Sequence, residues 1–319
     1  MKMAILNVLP LILLASTMAS VANGLNMNYY ILACPIADII IKNTVISALQ
    51  SDPTLSGPLL RMHFHDCFVE GCDGSILIDS TKNNTAEKDS PANLSLRGYK
   101  IIDAAKDALE KQCPGVVSCA DILAMAARDA VFFAGGPYYD IPKGRKDGLR
   151  SKIEDTIRLP PPSLNSTELI NMFAQRGFTA REMVALSGAH TLGVARCSSF
   201  KSRLSSTNPN RDVDPTIDAQ FAKTLSATCS KGDDAEQPFD STRTKFDNDY
   251  YRALQRSVGL LFSDETLYMG PTTRAFVNGY AMNPAMFFFD FQRAMVKMGT
   301  LDVKEGSNGE IRGNCRRVN

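Results

Sequence analysis

The chain has 319 residues, 44% of them hydrophobic and 22% charged, enough apolar material for one large core or two closely packed halves. Lys and Arg total 35 against 34 Asp and Glu, a formal net charge of +1. That balance argues against nucleic acid or an anionic membrane as the main partner.

Met1-Lys2 precedes a nearly unbroken apolar run from Ala4 to Ala15, and Ser20-Val21-Ala22 offers the small residues a signal peptidase needs. Residues 1–24 read as a secretory signal cleaved near Ala22 to Gly24, whose loss removes Lys2 and brings the charge to about zero. The run is short for a membrane anchor, and no later stretch could span a bilayer. All eight cysteines follow it: Cys34, Cys67, Cys72, Cys113, Cys119, Cys197, Cys229 and Cys315. An even number in a secreted chain points to four disulfides, with free core thiols as the alternative. Proximity suggests only Cys67 with Cys72. Sequons begin at Asn83, Asn93 and Asn165.

Asp38 to Gln50 has helical spacing (Ile39, Ile40, Val45, Ile46, Leu49) and stops at Asp52-Pro53. Pro58 fits the start of a helix carrying Leu60, Phe64 and Phe68 on one side. Val69, Gly71, Asp73 and Ser75 alternate as in an extended loop, and Ser80 to Pro91 is polar and loop-like. Ile101 to Gln112 and Ser118 to Phe133 read as helices, Ser118 being the N-cap of the second. Leu159-Pro160-Pro161-Pro162 is a rigid linker. Ser166 to Gln175 is a helix with a weak N-cap, and Thr179-Ala180-Arg181-Glu182 is a capping box opening another that ends at Ser187-Gly188. Asp218 to Ala227, Tyr250 to Ser257, Pro271 to Ala281 and Phe287 to Met298 are further helices. Asp240 to Asp247 reads as a loop. Few segments alternate as strands do, so the fold class is mainly α.

Three constellations can carry chemistry. Arg61-Met62-His63-Phe64-His65-Asp66-Cys67 holds two of the chain's three histidines. On a helix, Arg61 and His65 share a face; on a strand, His63 and His65 do, a plausible zinc pair. A base beside a fixed guanidinium suits proton transfer with charge stabilisation. The plain alternative is a buried histidine paired with Asp66, plus a surface arginine. His190 is the only histidine of the second half, and so its only candidate to hold a metal or haem iron. The loop Asp66, Val69, Gly71, Asp73, Ser75 could aim its oxygens at calcium, though it is no EF-hand. Asp240 to Asp247 is a weaker candidate of the same type.

Arg61 to Val69 with Gly71-Cys72-Asp73-Gly74-Ser75 resembles the distal haem segment of the secretory plant peroxidases, the class III haem peroxidases. The likeness continues at Leu96-Arg97-Gly98-Tyr99, at Cys113 to Ile122, at Leu186 to Gly193, at Phe246 to Tyr251, at Gly259 to Asp264 and at Gly309 to Cys315. It implies a two-domain helical haem peroxidase fold over 25–319. The distal half would be about 25–158 plus 285–319, the proximal half about 159–284, with one haem b between them. His65 and Arg61 would act on hydrogen peroxide. Asn93 would orient His65, although counting back from Arg97 gives Ala92, because this segment is one residue short. His190 would ligate the haem iron, with Asp264 bonded to it and Phe64 against the cofactor. Pro160 would touch the donor. Two calcium ions are implied. Asp66, Val69, Gly71, Asp73 and Ser75 would hold the first, with Glu87 linked through water. Thr191, Asp240, Thr242, Lys245 and Asp247 would hold the second, with Thr244 as alternative to Thr242. The implied disulfides are Cys34–Cys113, Cys67–Cys72, Cys119–Cys315 and Cys197–Cys229.

The resemblance thus implies a secreted, extracellular, monomeric glycoprotein of the apoplast or cell wall. It would reduce hydrogen peroxide and oxidise small aromatic, phenolic-type reductants, with cell-wall polymers as a further candidate partner. The alternative is a catalytically weak calcium- and haem-binding wall protein of the same fold. There are departures. The chain has no tryptophan, and Tyr139 stands where the family usually has one. Pro91, Ser163 and Ser199 stand where aromatic residues often ring the donor entrance.

Overall fold

The structure is a computed structural model that describes residues 24–204 and 213–319. Residues 1–24, expected from the sequence to be a secretory signal, lie outside the described residues, apart from Gly24. No helix among the described residues is long and apolar enough to cross a membrane.

The first half is built on α1 (Ala37–Ser51), α2 (Ser56–Val69), α3 (Tyr99–Gln112) and α4 (Cys119–Phe133). Helix α4 is buried along almost its whole length, because its small residues Ala120, Ala124, Ala126, Ala127 and Ala130 let α1 and α2 pack close to it. Ser118 caps it by accepting from the Asp121 amide at 3.1 Å. Helix α2 is also buried on most sides, which explains why its apolar face reads weakly in the sequence.

The second half holds α5 (Ser166–Ala174), α6 (Ala180–Ser187), α7 (Ala219–Cys229), α8 (Asp249–Gln255), α9 (Phe262–Met269), α10 (Pro271–Met282) and α11 (Pro284–Met298). Helix α11 packs on α6 and α10. The capping box at Thr179 and Glu182 forms as expected. The weak cap expected at Ser166 is instead a strong one a residue earlier. Asn165 Oδ1 accepts from the amides of Thr167 and Glu168 at 2.9 and 3.0 Å, while Glu168 bonds back to the Asn165 amide at 2.8 Å. Helix α11 starts earlier than its periodicity suggests, since Asn283 caps it and Pro284 opens it. The loop-like stretch from Ser80 contains one short 3-10 turn, Glu87–Asp89.

Two features escape the sequence reading altogether. Helix α9 (Phe262–Met269) has leucine, Leu261, at its N-cap, where a Ser, Thr, Asp or Asn would announce a start. Strands β1 (Val194–Arg196) and β2 (Glu236–Pro238) have three residues each, too few to show alternation, and pair antiparallel with Val194 opposite Pro238. This small ribbon decides a larger matter. It brings Thr191, just before β1, against Asp240, just after β2.

One apolar core runs through both halves, and a smaller one (Phe200, Leu225, Phe239, Leu260 and neighbours) lies under the ribbon. The four disulfides are Cys34–Cys113, Cys67–Cys72, Cys119–Cys315 and Cys197–Cys229, and no described cysteine is free. The chain after α11 returns to the first half. There Arg312 is fully buried, its amide donating to Asp147 Oδ2 at 2.9 Å and its Nη2 to the Gly74 carbonyl at 2.7 Å.

Candidate active site

Helix α2 places Arg61 and His65 one turn apart on one face and turns His63 away from it. His65 is buried, and its Nδ1 lies 2.5 Å from Asn93 Oδ1. Asn93 Nδ2 donates to the Glu87 carbonyl at 2.7 Å, so Oδ1 is the atom left to accept. His65 therefore carries its proton on Nδ1 and presents an unprotonated Nε2. Burial first, and the charge of Arg61 second, push its pKa well below the usual imidazole value, so this base stays neutral across ordinary pH. Asn93 is 1% exposed. Its sequon thus coincides with an amide already spent inside the fold.

Arg61 has no carboxylate partner among the described residues. Its Nη1 donates to Ser95 Oγ and its Nη2 to the Ala92 carbonyl, both at 2.8 Å. Burial lowers its pKa to about 10, which still leaves it charged at neutral pH. A partly buried guanidinium with spare N–H donors fits a ligand that develops negative charge. Phe64 lies between His65 and Phe68, with ring centroids at 5.6 and 4.5 Å, and is partly buried.

His63 belongs to no site. It is buried on the far side of α2, with Nδ1 3.6 Å from Cys67 Sγ, and burial drops its pKa to about 3. His63, Asp66 and Cys67 lie close enough to hold a metal, but the Cys67 sulfur is tied up with Cys72. The zinc reading of His63 with His65 falls with the strand geometry it required.

In the second half, His190 follows α6 in a short 3-10 turn, Gly188–Thr191. Its Nδ1 lies 2.8 Å from Asp264 Oδ1, which also accepts from the Tyr250 hydroxyl at 2.9 Å. Asp264 Oδ2 accepts the Leu261 amide at 3.1 Å, so the same carboxylate caps α9 and grips the histidine. The ring stacks on Phe239 at 4.3 Å and is 35% exposed. His190 Nε2 has no hydrogen-bond partner among the described residues, and its lone pair is free to ligate a metal. Sequence reasoning missed Tyr250 and Phe239, because nothing in their spacing marks them. The halves meet where Gly57 near the start of α2 abuts Leu192.

The loop after α2 gathers buried acid. Asp66, Asp73, Ser75 and Glu87 are all nearly inaccessible. The Ser75 hydroxyl and both Glu87 carboxylate oxygens have no hydrogen-bond partner. Burial and mutual repulsion push Asp66 well up and raise Glu87 to about 9. Orphaned buried oxygens around like charges are what a cation would satisfy. Gly71 has a φ of +98° and no room for a Cβ against Asp302. The carbonyls of Val69 and Gly71 accept from Arg158 Nη1 at 2.7 Å and from the Asp73 amide at 2.8 Å, and each keeps a second lone pair.

Beside His190, Thr191 Oγ1 donates to Asp240 Oδ2 at 2.6 Å, and Thr242 Oγ1 lies 3.1 Å from Asp240 Oδ1 and 3.2 Å from Asp247 Oδ1. Thr244 is exposed. The Lys245 ammonium lies 3.3 Å from Asp247 Oδ2, so only the backbone carbonyl of that residue is available as a ligand. Pro160 is half-buried on the linker, which is pinned where the Ser263 amide donates to the Pro162 carbonyl at 3.0 Å.

A family model described as peroxidase matches residues 41–283. The chain is 65% identical to Peroxidase 47 of Arabidopsis thaliana, an alignment covering 100% of this chain and 97% of that protein. It is 49% identical to Peroxidase 64 of the same plant, over 92% of this chain and 93% of that one. It is 42% identical to Peroxidase 1 of Oryza sativa subsp. japonica, over 98% of each. With a base and a guanidinium on one helix face and a carboxylate-gripped histidine in the other half, this chain belongs to the class III plant peroxidases.

Proposed function

We propose that this peroxidase reduces hydrogen peroxide to water while oxidising small aromatic, phenolic-type donors one electron at a time. The observation that carries the reading is the pairing of His65 with Asn93, which leaves Nε2 as a neutral, oriented base beside Arg61. One haem b would be held between the halves by His190, with Phe64 against it. When bound it supplies the redox chemistry: two electrons to the O–O bond, recovered singly from two donor molecules. His65 takes the proton from the near peroxide oxygen and delivers it to the far one, which leaves as water. Arg61 stabilises the negative charge that grows as the bond breaks. Asp264 accepts the Nδ1 proton of His190, holding the ring in the tautomer that ligates and raising its basicity. A haem- and calcium-binding wall protein without turnover is disfavoured, because these groups would then be oriented for nothing.

Two calcium ions are proposed, one at Asp66, Val69, Gly71, Asp73 and Ser75 with Glu87 in reach through water, the other at Thr191, Asp240, Thr242, Lys245 and Asp247. The setting proposed is extracellular, in the apoplast or cell wall, as a monomer. An absorbance spectrum of the purified protein tests the function: a Soret band that shifts on adding peroxide supports it. A band that does not respond overturns it.

Pro160 is proposed to touch the donor. Pro91, Ser163 and Ser199 are all exposed, so the donor entrance lacks an aromatic rim at these positions. Ser163→Phe is expected to change KM for bulky phenols more than for small ones. A donor panel in which no KM moves counts against an open entrance.

A further inference from the structure

The turn at residues 92–95 serves both distal side chains. Its Asn93 holds His65, while its Ala92 carbonyl and Ser95 hydroxyl take two of the five N–H donors of Arg61. We propose that Ser95 is a positioning residue for Arg61, and that residues 92–95 set the base and the guanidinium as one unit.

An arginine has a long, multi-torsion side chain, and a single acceptor leaves its planar head free to swing. Two acceptors on neighbouring nitrogens fix the plane. The turn that provides them is itself rigid. The Asn93 amide donates to the Ser90 carbonyl at 2.7 Å, the Leu96 amide donates to the Asn93 carbonyl at 2.9 Å, and the Asn93 side chain is tied to Glu87. Leu94 points to solvent and Leu96 is buried, so Ser95 is held between them at the Arg61 head. Both acceptors are neutral. A carboxylate in the place of Ser95 would fix the head equally well but cancel its charge. A hydroxyl fixes it and leaves the whole positive charge for the reacting oxygens.

The inference rests on the reading that Arg61 faces the peroxide. The test uses the haem-loaded wild type, Ser95→Ala and Ser95→Thr. Three quantities are measured: the bimolecular rate constant with peroxide, the rate of donor oxidation after that step, and the affinity for fluoride, an anion that probes the guanidinium without turnover. Loss of one hydrogen bond to a charged group typically costs about tenfold or more. In Ser95→Ala the peroxide step and the fluoride affinity are both expected to fall about tenfold. Donor oxidation and the melting temperature should hold, and Ser95→Thr should restore both losses. A Ser95→Ala protein with wild-type peroxide rate and fluoride affinity overturns the inference alone. So does one whose donor oxidation falls in step with the peroxide rate and is not rescued by threonine, since that marks a structural defect. A wild type inert to peroxide overturns this inference together with the proposed function.

Discussion

His65→Ala is expected to slow the reaction with hydrogen peroxide by about 10²–10⁴-fold, the usual worth of a positioned general acid–base. Haem should stay bound, because the proposed ligand is His190 in the other half of the chain. The physical reason lies in the tautomer. Asn93 accepts the Nδ1 proton, so the free Nε2 lone pair is the one available to take a proton from peroxide. Burial first, and Arg61 second, hold the ring's pKa well below the usual imidazole value, so in the resting protein the rate should show no loss of the base at the pH where a free imidazole titrates. Asn93→Ala should cost less than His65→Ala, since the base remains but its tautomer is no longer chosen. Stopped-flow mixing with peroxide measures both. A His65→Ala protein with an intact Soret band and normal peroxide kinetics removes His65 from the mechanism.

The second large effect concerns the buried acids. Chelating calcium should leave Asp66, Asp73 and Glu87 crowded in a dry loop. A ligand present at a thousandfold its Kd stabilises by about 4 kcal/mol, which at roughly 2–4 °C per kcal/mol in a protein of this size is a loss on the order of 10 °C in melting temperature. The pH dependence has a definite sign. With the cation gone, Glu87 has its pKa raised to about 9 by burial, then by Asp66. A raised carboxylate favours folding below its ordinary pKa and loses that contribution as pH rises towards the folded value. The chelated protein should therefore weaken from about pH 5 to 9, while the calcium-loaded protein should not, because the ion favours the ionised forms. Thermal melts at several pH values with calcium and with chelator decide it. Parallel pH profiles in the two conditions would remove the ion from the loop. Activity should fall with the ion too, because the Glu87 carbonyl orients Asn93 and Asn93 orients His65.

Much of this was legible in the sequence, for reasons that differ by element. Helices α1 and α4 were readable because their caps and stops are chemical: Asp52-Pro53 ends one and Ser118 starts the other. The capping box at Thr179 was readable because both partners lie in four consecutive residues. Helix α9 was not, because its cap is the Asp264 side chain reaching back to the Leu261 amide, a bond that no cap residue at position 261 announces. The β1–β2 ribbon was invisible because its two strands are forty residues apart and very short. The choice between Asn93 and Ala92 could not be made by counting, since the segment is one residue short. In space it is decided by which side chain reaches His65. Tyr250, Phe239 and Ser95 carry no spacing signal, because each acts on a residue distant in sequence.

The return of the last residues to the first half constrains the order of events in biosynthesis. Cys119 waits for Cys315, 196 residues later, and Asp147 waits for Arg312, whose side chain also closes over Gly74 beside the acidic loop. Domains usually fold as they emerge from the ribosome, amino-terminal part first. Here the Cys34–Cys113 and Cys67–Cys72 bonds can form within the amino-terminal half, whereas Cys119 and Asp147 lack their Cys315 and Arg312 partners until residues 312–315 have emerged. A chain interrupted before Arg312 would be expected to present an Asp147 without its arginine and an unpaired Cys119 thiol to quality control.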